Sequence, residues 1–128
     1  MSTACRRGSP RSNLGALGLR ALWTYGGHYP GPELRVREGE RVRVIVENGL
    51  PEPTSVHWHG LPVPNAMDGV PGLTQPPIAP GASFTYEFDA APAGSYMYHS
   101  HQGLQIERGL FGPLVVEERA PHVAYDRE

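Results

Sequence analysis

The sequence has 128 residues with 11 Arg, no Lys and 13 Asp or Glu, which gives a formal net charge of −2. This near-neutral balance argues against nucleic acid as the main partner, and no stretch reaches the ~20 apolar residues that a membrane span needs. The 16 Gly and 14 Pro disfavour a helical bundle, because both residues interrupt helices, and favour one domain rich in turns.

The first twenty residues differ in composition from the rest of the chain. Residues 1–20 contain four Arg and no acidic residue, so we expect a basic, disordered N-terminal arm there. Gly15 and Gly18 interrupt the Leu-rich run of this segment, so it lacks a clear export signal and the compartment stays unknown. We expect one domain over residues 21–118 and a linker, cut short, or a tail over residues 119–128.

From residue 33 onward, short segments of alternating polar and apolar residues predict β-strands. Turn signals such as Glu38-Gly39-Glu40 and Asn48-Gly49 separate them. The predicted strands are residues 35–37, 41–47, 54–59, 83–89, 94–100 and 112–117. A Pro- and Gly-rich connection fills residues 61–80, and residues 103–108 predict a short helical turn. Several short strands with turns between them favour an all-β sandwich or barrel.

Four of the six histidines form two His-x-His pairs, which are His57-Trp58-His59 and His99-Ser100-His101. Residues i and i+2 of a strand point to the same face, so each pair presents two imidazoles side by side. Imidazole binds copper, zinc, iron and nickel, and four imidazoles without a thiolate favour copper or zinc. One pair arises easily by chance, but two pairs at the ends of predicted strands predict a metal site.

Two other kinds of metal site fit the sequence less well. Cupin barrels also use a His-x-His pair, but they add a Glu a few residues later and a His on a later strand. Here Gly60-Leu61-Pro62-Val63-Pro64 supplies no acid and Pro80-Gly81-Ala82 supplies no His. Cys5 is the only cysteine, which excludes a zinc site with several Cys and an intrachain disulfide.

Beyond the histidine pairs, the chain contains short blocks in a fixed order between about residues 23 and 118. The blocks are Trp23-Thr24-Tyr25-Gly26-Gly27, Tyr29-Pro30-Gly31-Pro32, His57-Trp58-His59-Gly60, Met67-Asp68-Gly69-Val70-Pro71, Thr74-Gln75, Ile78-Ala79-Pro80-Gly81, Tyr98-His99-Ser100-His101 and Gly109-Leu110-Phe111-Gly112. In this order they resemble the first cupredoxin domain of a multicopper oxidase, the family of laccases, ascorbate oxidase and copper or iron oxidases. The resemblance implies a cupredoxin-like Greek-key β-sandwich.

The resemblance also implies a role for each candidate site residue. His57 would bind the type 2 copper of a trinuclear cluster. His59 and His99 would share one type 3 copper, and His101 would bind the other. Asp68 would help to deliver protons while dioxygen is reduced to water; the alternative is that Asp68 is a turn residue before Gly69, a common use of an Asp-Gly pair.

A complete oxidase of this family also needs a type 1 copper, which takes electrons from the substrate through a Cys thiolate and two His. The only cysteine of this chain, Cys5, has no neighbouring His. The family takes the type 1 site and the other four ligands of the cluster from its last domain. The resemblance therefore implies half of a trinuclear copper site and no entry point for electrons.

Three interpretations of the function follow. In the first, which we favour, the chain is the copper-binding domain of a laccase-like multicopper oxidase, an oxidoreductase, and works with further cupredoxin domains and dioxygen. In the second, it is a standalone module that sequesters or delivers copper. In the third, another copy of the chain completes the site by symmetry, without efficient oxidase turnover.

Overall fold

The alternating segments of the sequence form β-strands in the computed structural model, which describes residues 2–6, 22–120 and 123. The strands are β1 Ser2–Arg6, β2 Thr24–Tyr25, β3 Leu34–Arg37, β4 Arg41–Gly49, β5 His57–His59, β6 Ser83–Asp89, β7 Gly94–His99 and β8 Phe111–Glu117. A 3-10 turn, Asn65–Met67, lies between β5 and β6. Within the described residues, no helix has the length and apolarity that crossing a membrane requires.

The strands pair into two four-stranded sheets, with the order β2-β1-β4-β6 in the first and β3-β8-β7-β5 in the second. In the first sheet, β4 and β6 pair antiparallel from Arg41 opposite Asp89 to Glu47 opposite Ser83. In the second sheet, β7 lies between β5 and β8 and is antiparallel to both. The all-β sandwich predicted from the sequence is the observed architecture.

Strand β4 shows why these residues form the sandwich. Val42, Val44 and Val46 are buried, whereas the residues between them face outward. Each fully buried Val stabilises the fold by roughly 1.5–3 kcal/mol. On the outer face, Arg43 pairs with Glu87 on β6 at 3.0 Å, an exposed ion pair of small energetic weight.

Trp58 anchors β5 to the opposite sheet. Its side chain is 1% exposed, and its ring lies 4.8 Å from Phe88 and 5.4 Å from Tyr86, measured between centroids. Both partners belong to β6 of the first sheet. Because successive residues of a strand point to opposite faces, this anchor turns the two neighbouring histidines away from the core.

The first residues of the chain differ from the sequence prediction. Ser2–Arg6 form β1, which runs parallel to β4 and antiparallel to β2, so the expected disordered arm is wrong for these five residues. Here backbone hydrogen bonds to β4 and β2, which lie far along the chain, order a segment whose own composition carries no strand signal. Residues 7–20, most of the rest of the predicted arm, lie outside the described residues, as does most of the predicted tail.

The predicted strand ends also shift by a few residues at the histidine pairs. The strand expected over residues 54–59 is regular only from His57 to His59, and Thr54 instead forms an isolated bridge with Ile78. β7 ends at His99 rather than at residue 100. Residues 103–109 form hydrogen-bonded turns in place of the predicted helical turn.

A buried hydroxyl links the two sheets just before the first histidine pair. The Val56 backbone N–H donates to Tyr86 Oη at 3.0 Å. Tyr86 is fully buried, and Val56 is 2% exposed, so water cannot replace this acceptor. The bond therefore fixes the backbone that leads into His57.

We expect Tyr86→Phe to lower the free energy of unfolding by about 1–3 kcal/mol, because it leaves the buried Val56 N–H without this acceptor. Tyr96→Phe is the matched control, since the Tyr96 hydroxyl bonds Pro92 O at an exposed position, and we expect a change within about 0.5 kcal/mol. Denaturant unfolding of both variants measures the difference. Equal losses would show that the bond to Val56 is unimportant.

Candidate metal centre

The pairing of β5 with β7 brings the two histidine pairs together. His57 lies directly opposite His99 in the antiparallel register. His59 is two residues further along β5 and therefore lies on the same face as His57. One ligand nitrogen from each of His57, His59 and His99 lies within 4.8 Å of the other two.

His101 joins this cluster from beyond the end of β7. Its ring centroid is 5.4 Å from that of His57 and 6.4 Å from that of His99. It is exposed, as is His59, whereas His99 is buried. The structure thus gathers the four histidines of the two pairs into one cluster that is open to solvent on one side.

Two backbone carbonyls fix the proton positions on two of the rings. His57 Nδ1 lies 2.7 Å from the carbonyl oxygen of Asp68, and His99 Nδ1 lies 2.9 Å from that of Ser100. A carbonyl oxygen only accepts, so each Nδ1 carries the proton and donates. When such a ring is neutral, its Nε2 therefore keeps the lone pair that a metal requires.

The third ring presents its other nitrogen to the cluster. His59 Nδ1 lies 3.1 Å from His99 Nε2. This separation suits two ligands of one ion, because a metal–imidazole bond is about 2 Å long. An all-nitrogen donor set without a thiolate also suits copper or zinc, so the residues present fit the predicted metal.

Electrostatics keep the buried ring in its neutral form. Burial lowers the pKa of His99, the hydrogen bond to the Ser100 carbonyl opposes that change, and the neighbouring imidazoles His57, His59 and His101 lower it further. Removal from water disfavours the imidazolium, and positive charge on the neighbouring rings would repel it. Because only the unprotonated nitrogen binds a metal, this environment favours binding.

Asp68 approaches His57 through both its main chain and its side chain. Besides the carbonyl contact, Asp68 Oδ1 lies 3.4 Å from His57 Nδ1. The loop comes this close because residue 69 is glycine, with a φ of +74°. A Cβ atom at Gly69 would overlap the Val56 carbonyl oxygen and lie 3.0 Å from the backbone nitrogen of His57.

The other two histidines and Met67 lie outside this cluster or outside the described residues. His28 is exposed and forms an isolated bridge with Tyr25, and His122 lies outside the described residues. Met67 packs against the core, and its sulfur accepts the Glu87 N–H at 3.3 Å. The sequence did not predict the close approach of Gly69 to the Val56 backbone, because an Asp-Gly pair in an open turn has the same sequence.

Comparison with known proteins identifies the family of the chain. The family model of multicopper oxidases matches residues 11–121. The chain belongs to this family. Copper resistance protein A homolog of Pseudomonas syringae pv. tomato is 47% identical over 110 residues, and Laccase-1 of Emericella nidulans is 51% identical over 118 residues. These alignments cover 85% and 79% of the chain and 19% of each relative.

Solved multicopper oxidases share the fold of the chain. The multi-copper oxidase from Pseudomonas thermotolerans superimposes with a TM-score of 0.87 and 44% identity, over 94% of this chain and 30% of that one. The laccase from Botrytis aclada gives a TM-score of 0.82 and 37% identity, over 91% of this chain and 22% of that one. The cupredoxin-like fold predicted from the sequence is confirmed, and copper is the metal of this family.

We expect Gly69→Ala to destabilise the multicopper oxidase domain more than Gly72→Ala. Both glycines have a left-handed φ, +74° and +76°, so both variants lose roughly 1–2 kcal/mol of unfolding free energy. Only the Cβ at residue 69 meets other atoms, which adds about 1–3 kcal/mol and moves the Asp68 carbonyl away from His57. Thermal unfolding measures the difference, and equal losses would contradict the proposed close approach.

Proposed function

We propose that the chain supplies half of a trinuclear copper site at which a multicopper oxidase reduces dioxygen to water. The observation that carries this proposal is the cluster of His57, His59 and His99, whose ligand nitrogens lie within 4.8 Å of one another. Bound copper supplies the one-electron chemistry that dioxygen reduction requires. The chain's own residues hold and orient the imidazoles, and burial favours the neutral form of His99.

Each histidine takes one position in the proposed site. His57 binds the type 2 copper through Nε2, because its Nδ1 is held by the Asp68 carbonyl. His59 and His99 share a type 3 copper, in accord with the 3.1 Å between His59 Nδ1 and His99 Nε2. His101 binds the other type 3 copper. In accord with this, its ring lies beside that of His57, but His101 is not one of the three histidines whose ligand nitrogens all lie within 4.8 Å of one another.

Asp68 handles protons beside the cluster. Its carboxylate is partly exposed, with 34% of the side-chain surface accessible, and Oδ1 lies 3.4 Å from His57 Nδ1. A carboxylate that touches both water and the edge of the site can pass protons between them. Its backbone carbonyl, and not its carboxylate, makes the shorter contact with His57, so the side chain stays available for proton transfer.

The partner in the proposed site is a further cupredoxin domain. Four imidazoles are too few to complete three copper ions, and His59 and His101 are exposed on the open side of the cluster. Relatives such as Laccase-1 are about five times the length of the matched region, which leaves room for such domains. A second copy of the chain and a standalone copper store are the competing interpretations.

We expect His59→Ala to weaken copper binding, because it removes a ligand. Loss of a residue that only hydrogen-bonds a ligand costs about 10–100-fold in metal affinity, and we expect the loss of His59 to cost more. His28→Ala is the matched control, since His28 is exposed and lies outside the cluster. Asp68→Asn keeps the backbone carbonyl that orients His57, so its affinity stays near that of the unaltered chain. Isothermal titration with copper, followed by electron paramagnetic resonance, measures these affinities. Equal losses in the His59 and His28 variants would refute the assigned ligands.

We expect the 128-residue chain to stay monomeric with and without copper, because the other half of the proposed site belongs to a different domain. Sedimentation velocity at both metal contents measures the mass. A copper-dependent doubling of mass would instead favour the symmetric site formed by two copies of this chain.

A further inference from the structure

A buried polar network lies directly behind the second histidine pair. Gln105 is 3% exposed, and its Oε1 accepts hydrogen bonds from Thr54 Oγ1 at 2.8 Å and from Ser100 Oγ at 2.7 Å. Its Nε2 donates to the Pro53 carbonyl at 2.8 Å. The Gln105 amide thus joins the segment before β5 to the residue between His99 and His101.

This network begins where the strand ladder stops. The pairing of β5 with β7 ends at His57 opposite His99, so no ladder hydrogen bond reaches His101. Instead, the His101 N–H donates to Ser55 Oγ at 3.3 Å. Side chains of the segment before β5 therefore replace the ladder in holding the fourth histidine.

The amide also sets the directions of the hydroxyl groups. Because Gln105 Oε1 only accepts, the hydroxyls of Thr54 and Ser100 both point their hydrogens toward it. Ser100 Oγ then has its lone pairs free, and it accepts the Gln102 N–H at 3.2 Å. Without the amide oxygen, two buried hydroxyls would lose a shared acceptor, and the turn after His101 would lose a fixed partner.

We propose that Gln105 is a positioning residue for the metal centre, which sets the place of His101 relative to the other three imidazoles. This inference rests on the proposed function, because it takes His101 as a copper ligand. Gln105 does not touch the metal in this scheme. It acts through Ser100, Thr54 and the turn that carries His101.

The test compares two buried amides in the full 128-residue chain. Gln105→Met keeps the size of the side chain and removes its three hydrogen bonds. Asn48→Leu is the matched control, because Asn48 is 2% exposed and also makes three. These bonds join Asn48 to Glu52 O, Ile78 O and the Leu50 N–H, and none of them involves a histidine pair.

We expect both variants to unfold at lower temperature, and only Gln105→Met to weaken copper binding, by about tenfold or more. Titration with copper alone measures this affinity. The same change of affinity in both variants, or none in Gln105→Met, would overturn the positioning role. His101→Ala in the same series gives the affinity of a site from which that ligand is missing.

A second readout uses the metal-free chain. We expect hydrogen exchange at the His101 and Gln102 amides to be faster in Gln105→Met than in Asn48→Leu, because these amides depend on Ser55 and on the Ser100 hydroxyl. Unchanged exchange would overturn the inference. If the unaltered chain bound no copper, the proposed function would fail, whereas the exchange data would still decide whether Gln105 holds His101.

Discussion

The register of β5 against β7 is the constraint on which the metal centre depends. With His57 opposite His99, the two histidine pairs share one face of the second sheet. A slip of one residue would turn both imidazoles of a pair toward the core and Trp58 toward solvent. Trp58 prevents this slip, because its ring is buried against Phe88 on the other sheet. The hydrophobic core and the metal centre are therefore specified by alternate residues of the same three-residue strand.

Backbone carbonyls outside the strands orient two of the imidazoles that the strands bring together. The Asp68 carbonyl and the Ser100 carbonyl each hold one Nδ1 proton, and both belong to segments outside the strands. The first of these contacts requires glycine at residue 69, where the loop lies against the backbone of Val56. The orientation of His57 and the geometry of this loop are thus coupled.

The exposure of two of the four histidines is in accord with the proposed site shared between two domains. His99 is buried and its neutral form is favoured, whereas His59 and His101 are exposed. A site that a single domain filled would bury its outer ligands and supply the missing ones. The chain belongs to the multicopper oxidase family and matches 19% of the length of Laccase-1, which leaves room for further domains in that relative.

The sequence by itself determined most of the strands and the clustering of the histidines. Period-two alternation depends only on neighbouring residues, so β6 was predicted with its observed bounds, Ser83–Asp89, and each His-x-His pair implied a shared face. Only the tertiary structure decided what depends on distant residues: that Ser2–Arg6 form a strand beside β4, that Gly69 lies against Val56, and that the Gln105 amide lies behind His101. The pairing of Ser2–Arg6 with β4 and the bond of Gln105 to Thr54 join segments tens of residues apart, and the contact of Gly69 with Val56 spans 13 residues, so local composition carries no record of them.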